Sequence, residues 1–168
     1  MSGPINNLKD VYILELKDLY NANKQANAVV EKLHGAANDP KLKDALERSI
    51  KGTKKGNEHI AKIVESHGES PTGHKCKGME GLCTEAKEHV LNTEFGDKDA
   101  QDAMLISQYQ RMAHYAITGY GCAEAFAKRL GLDEDAKTLK KCKEDTKSGD
   151  LDFSKLAEGG INKGAMAA

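Results

Sequence analysis

Apolar positions recur along most of this chain in alternating steps of three and four, the period of helices that turn one face inward. The longest row runs from Ala103 to Leu130 through Ile106, Tyr109, Ala113, Ala116, Tyr120, Ala123 and Ala127. An earlier row reads Leu8, Tyr12, Leu16, Leu19, Ala26, Val30 and Leu33, announced by Pro4 and the Asn6-Asn7 pair. Its spacing between Leu19 and Ala26 lands on Asn23, so an amide points where an apolar side chain belongs. Asp39-Pro40 starts a second helix, with Asp as N-cap and Pro at the first helical position. That helix turns Leu42, Ala45, Ser49, Gly52, Gly56, His59 and Ile63 inward, and Gly68 is placed to end it in a left-handed cap. Pro and Gly mark residues 69–78 as a loop. Met79, Leu82, Ala86, Val90 and Leu91 then predict a short helix over 79–92, and Gly96-Asp97 resets the chain into the long row. Gly131 closes the long helix and Asp133 caps the last one, whose inward row is Ala136, Leu139, Cys142, Thr146, Gly149, Phe153 and Leu156. Gly159-Gly160 is read as its terminator, with a disordered tail over 160–168.

Four long helices and one short helix in the excursion between the second and third predict an all-α fold, a four-helix bundle in a ferritin-like arrangement. The 168 residues suit a single domain, 1–168. Aromatic residues make up 5% and Trp is absent, which argues against a sandwich or barrel. The 25 basic and 26 acidic residues are mixed along the chain, so no nucleic-acid footprint or polybasic membrane patch is expected. No basic segment followed by an apolar run opens the sequence and no stretch suits a membrane span, so the expectation is a cytoplasmic protein. Cys76, Cys83, Cys122 and Cys142 are read as reduced thiols, and Cys76 and Cys83 lack the close pairing of a zinc knuckle.

The middle of the inward faces is small. The long helix carries Ala113 and Ala116 there, with Gly119 and Gly121 nearby; the second carries Gly52 and Gly56; the last carries Thr146 and Gly149. Each glycine inside a helix costs about 1 kcal/mol relative to Ala, so something must favour the missing side chains. Close backbone approach would do so, and so would room for a ligand.

LKDLYNANKQ, HGESPTGHKCKGMEGL, QRMAHYAITGYG and AKRLGLDEDAKTL, in this order and over nearly the whole chain, resemble the YciE/YciF-like family of ferritin-like bacterial stress proteins. The resemblance implies a ferritin-like bundle, often a homodimer, made in the stress or stationary-phase response. It also implies a di-iron centre, because a pair of hard cations in a bundle core needs several anionic oxygen ligands converging from the helices. Carried over by position, the family's glutamate on the first helix falls on Asn23. On the second it falls on Gly52, with the other ligand at Lys55 or Gly56. The pair on the third falls on Ala113 and Ala116, flanking His114-Tyr115, and the glutamate on the fourth falls on Thr146, with its partner at Gly149 or Asp150.

None of the clear positions supplies a carboxylate. The expectation is a protein without the family's cofactor, in which Asn23, Gly52, Gly56, Ala113, Ala116, Thr146 and Gly149 line a cavity able to take a small molecule, and whose role is structural or binding rather than catalytic. The alternative is a metal-binding, iron or manganese oxidoreductase with a relocated site, drawing on His59, Glu58, His114, Glu15 or Glu124. His67, His74 and Cys76 form a weaker group around the loop. Ser49, Ser107 and Ser154 have no adjacent base, and no glycine-rich phosphate loop is present.

Overall fold

The computed structural model describes residues 4–166. Its long helices are α1 (Leu8–Ala36), α2 (Pro40–Ser66), α4 (Lys98–Arg129) and α5 (Asp133–Leu156), with a short α3 (Lys77–Ala86) in the crossover. Among the described residues none is in a strand, and no helix is long and apolar enough to cross a membrane.

Local chemistry places the ends of the helices. Asn7 accepts a hydrogen bond from the Asp10 N–H, and Asp39 accepts one from Leu42 ahead of Pro40. Gly68 and Gly131 adopt φ of 76° and 70°, the left-handed conformation that lets a chain leave a helix. After α4 the Leu132 N–H reaches back to the Ala127 carbonyl and Gly131 to Lys128, closing the last turn.

Several boundaries differ from the sequence reading. The long helix begins at Lys98, capped by the Asp97 carboxylate on the Ala100 N–H, so its polar first turn belongs to it. The N-cap of α5 is Leu132, which makes no side-chain cap bond; Asp133 is the first helical residue, and with Glu134 and Asp135 it favours the positive end of the helix dipole instead. The short helix starts at Lys77, where the Cys76 thiol accepts from the Met79 N–H, and closes through a wide turn over Lys87–Leu91. Gly159-Gly160 does not end α5. The chain passes through another wide, five-residue turn, Ala157–Ile161, into α6 (Asn162–Gly164). The extra residue carries Ile161 into the core, 5% exposed, and brings Gly164 so close to the Asp99 carboxylate that a Cβ would collide with it. Burial of Ile161 favours order over the expected disorder as far as the description reaches; Ala167 and Ala168 lie outside it.

Tertiary contacts define the topology. Ser49 meets Tyr109 and Gly56 meets Tyr120, so α2 and α4 run parallel, as the crossover requires. Arg48 meets Asp152 and His67 meets Asp135, so α5 runs antiparallel to α2. The α1–α2 turn is tied to the start of α4 by Asp102, fully buried, whose carboxylate accepts the backbone N–H groups of Asn38 and Asp39 at 2.9 and 2.7 Å.

The apolar core is in two parts. One gathers around Leu33, Leu46, Met79, Leu105, Met112 and Phe153, and the other around Tyr12, Leu16, Ile60, Val64, Tyr120 and Leu139. Ala113 belongs to the first and Ala116 to the second. The long helix therefore crosses from one core to the other at the stretch of small side chains.

Candidate functional site

Between the two cores lies a polar belt. Asn23, Asn27 and Asn57 are buried to at least nine-tenths, an unusual burial for amides unless they are bonded. Asn57 donates from Nδ2 to the Tyr20 carbonyl at 3.0 Å, which turns its Oδ1 toward Asn23. Asn23 Nδ2 donates to that oxygen at 3.0 Å and to the Tyr120 hydroxyl at 3.1 Å. Asn27 Nδ2 donates to the Ile50 carbonyl. The Tyr109 ring stacks on Phe153, centroids 3.8 Å apart, and its hydroxyl meets Ser49 Oγ at 2.8 Å.

Above this belt α2 and α5 stand apart and leave a cleft of about 830 Å³, open along one side. All seven residues expected from the sequence to line a cavity do line it. Asn23, Ala113 and Ala116 form the floor, Gly52 and Gly56 belong to the α2 wall, and Thr146 and Gly149 to the α5 wall. Thr146 spends its hydroxyl on the Cys142 carbonyl one turn back, at 2.8 Å.

Both reasons for small residues operate, at different positions. Gly56 is a close approach: a Cβ there would lie 2.5 Å from the Tyr120 hydroxyl oxygen. Gly119 is another, with Leu19 Cδ1 at 2.9 Å. Gly52 and Gly149 have nothing within 4 Å of a Cβ, and Gly52 is exposed on the lip. At Gly56 the missing side chain makes room for the Tyr120 hydroxyl, and at Gly52 and Gly149 it leaves the cleft open.

The floor carries no charge. Burial pushes the Tyr109 hydroxyl up to about 12 and raises Tyr120 well above its ordinary value, the Asn23 bond lowering it only in part. Burial also raises the Cys142 thiol to about 11. At neutral pH all three are protonated. The charged groups that line the cleft are surface side chains: Arg48 faces Asp152, Lys141 pairs with Asp145 within its own helix, and Lys55, Glu134, Lys137, Lys140 and Glu144 are exposed.

The histidines considered for a relocated metal site are not together. His59 is half-buried and lines the cleft. His114 is exposed and turned to a shallow hollow on the other side of the α4–α5 pair, where Nε2 meets Asp150 Oδ2 at 2.9 Å. Asp150, the alternative to Gly149 in the positional match, thus faces α4 and not the cleft; its Oδ1 is buried without a partner among the described residues. Glu58 is exposed, burial together with Asp18 raises the Glu15 carboxyl, and Glu124 is held low by hydrogen bonds from Lys128 and Lys143. Around the loop, His67 meets Asp135, His74 meets Asp18, and Cys76 meets the Tyr115 hydroxyl, which itself donates to Asp18. These contacts fasten the crossover to the bundle. Among the described residues no three His, Cys, Asp or Glu side chains converge as a metal-ligand group, and all four cysteines are unpaired.

Asn27 and Asn57 were not apparent from the sequence as site residues. Asn27 stands one turn beyond Asn23 on the same face, a signal that could have found it; Asn57 directly follows Gly56 and faces α1 only because of how the helices are placed.

Comparison with known proteins agrees with this architecture over nearly the full chain. Escherichia coli (strain K12) protein YciF is 36% identical over 159 residues, covering 94% of this chain and 95% of YciF. The crystal structure of the E. coli stress protein YciF superposes with a TM-score of 0.88 at 34% identity, covering 95% of this chain and 99% of that one. YcfI of Rhodopseudomonas palustris, for which a structural role has been suggested, superposes with a TM-score of 0.85 at 27% identity, covering 92% of this chain and 97% of that one. Residues 7–166 match the family described as Domain of unknown function (DUF892), and the chain belongs to that family.

Proposed function

We propose that this protein is a member of the YciF-like stress-protein group that has exchanged the family's di-iron centre for a neutral cleft and works as a non-catalytic binding or structural protein, as a homodimer in the cytoplasm. One observation carries the reading. Seven of the residues that line the cleft, those carried over from the family's ligand positions, offer one amide, one hydroxyl already bonded to its own helix, and five side chains with no donor atom. Such a set does not fit a di-iron centre, which needs several anionic oxygens to offset the charge of the cations. Removing the carboxylates leaves space, and the floor is finished with amides and tyrosines rather than filled with Leu or Ile. The relocated metal site gains no support, because His59 and His114 line different hollows.

Metal analysis of protein purified from iron-supplemented cells tests the proposal. The expected result is iron and manganese far below one per chain. Stoichiometric metal, lost on His59→Ala or His114→Ala, would overturn it.

A further inference from the structure

The hydrogen-bond pattern of the cleft floor narrows what it can hold. Asn57 Nδ2 is committed to a backbone carbonyl, so Asn57 Oδ1 requires the NH2 group of Asn23. That fixes the orientation of the Asn23 amide, and its Oδ1 accepts nothing among the described residues. Asn27 is fixed in the same way, since only its NH2 group can bond the Ile50 carbonyl, and its Oδ1 likewise accepts nothing among the described residues. The Tyr120 hydroxyl accepts from Asn23 and so keeps its own proton to give, with no acceptor among the described residues. All three side chains are more than nine-tenths buried, and all three line the cleft.

The floor therefore presents two acceptors, one turn apart on α1, and one donor from α4. Beside them lie the stacked Tyr109 and Phe153 rings and Met112, while Ser49, Thr53 and His59 add polar atoms to the wall. A cleft of about 830 Å³ falls in the range of small-molecule sites. The charged side chains that line the cleft, Arg48, Lys55 and Lys141 among them, are surface groups, so a charged group placed among the buried amides would lose hydration without a buried counter-charge in the lining.

We propose, resting on the binding reading above, that the cleft takes a neutral, flat, largely apolar molecule carrying hydroxyl or N–H donors along one edge, of the phenol or dihydroxyarene type. Its donors engage the Asn23 and Asn27 oxygens, an acceptor on it receives the Tyr120 proton, and its ring lies toward Tyr109, Phe153 and Met112.

The test uses the full chain and naphthalene derivatives, whose fluorescence is free of tryptophan background because the chain has no Trp. The probes are 1,3-dihydroxynaphthalene, its dimethyl ether and 2-naphthoate. The diol is expected to saturate at one per chain, with the ether about a hundredfold weaker for the loss of both donors and the naphthoate weaker still. Asn27→Leu, which gives up a single long hydrogen bond, is expected to weaken the diol about tenfold and leave the ether unchanged. Gly149→Leu, placed where a side chain meets open space, is expected to abolish binding of both while the protein remains folded. Equal affinity for diol and ether overturns the proposed chemistry but leaves a neutral binding cleft standing. Preferred binding of the naphthoate, or no binding of any probe, also overturns it; metal content decides the broader reading separately.

Discussion

Gly52→Ala and Gly56→Ala, one turn apart on α2, should change stability in opposite directions. Each replacement removes backbone freedom from the unfolded chain and gains roughly 0.5–1 kcal/mol in helix preference. At Gly52 nothing stands within 4 Å of the new Cβ, so that gain is the whole effect. At Gly56 the new Cβ would lie 2.5 Å from the Tyr120 hydroxyl oxygen and 3.6 Å from Cζ. The ring must swing away, and overpacking of this kind costs about 1–3 kcal/mol. Its movement also strips Asn23 Nδ2 of a buried acceptor, which adds about 1–3 kcal/mol. The two penalties exceed the helix gain, leaving Gly56→Ala destabilised by about 1–5.5 kcal/mol. Urea unfolding followed by far-ultraviolet circular dichroism would measure both variants. The midpoint should rise for Gly52→Ala and fall for Gly56→Ala, with the slope unchanged in each. If both variants are stabilised alike, Tyr120 does not rest on Gly56 and the floor of the cleft is not built as described.

Three other outcomes are expected. A chain ending at Gly159 loses the buried Ile161 and should be less stable by about 1.5–3 kcal/mol, read as a lower melting temperature; an unchanged melt would mean that the last turn contributes nothing. Glu124 is held below the ordinary carboxyl value of 4.5 by hydrogen bonds from Lys128 and Lys143. Its stabilisation is therefore complete above that value and is lost as the pH falls through the lower folded one, so the stability gap between wild type and Glu124→Gln should be widest near neutrality and narrow below about pH 4.5. A gap that widens in acid would contradict the pairing. The combined variant Asn23→Glu, Gly52→Glu, Ala113→Glu, Ala116→Glu and Thr146→Glu should take up iron where wild type does not; a folded variant without iron would refute the positional match to the family's ligands.

The helices could be read from the sequence because their signals are local. Asp39-Pro40, Gly68 and Gly131 act within a turn of where they stand, and the three-four spacing names the inward face. The last turn was misread for the same reason. Gly159-Gly160 is a local stop signal, and only the burial of Ile161 in the core outweighs it. Asp102 was equally invisible as a core residue, because a carboxylate near the start of a helix is ordinary until the Asn38 and Asp39 backbone arrives to bond it.

The candidate site divides along the same line. By itself the sequence determined that Asn23, Gly52, Gly56, Ala113, Ala116, Thr146 and Gly149 face inward without a carboxylate among them, since residue identity and helical phase need no partner. Whether that meant close packing or open space was decided by the tertiary structure alone. Periodicity sets the direction in which a side chain points but not the distance to the next helix. That distance is short at Gly56, where Tyr120 fills the gap, and long at Gly52 and Gly149, where α2 and α5 part and the cleft opens.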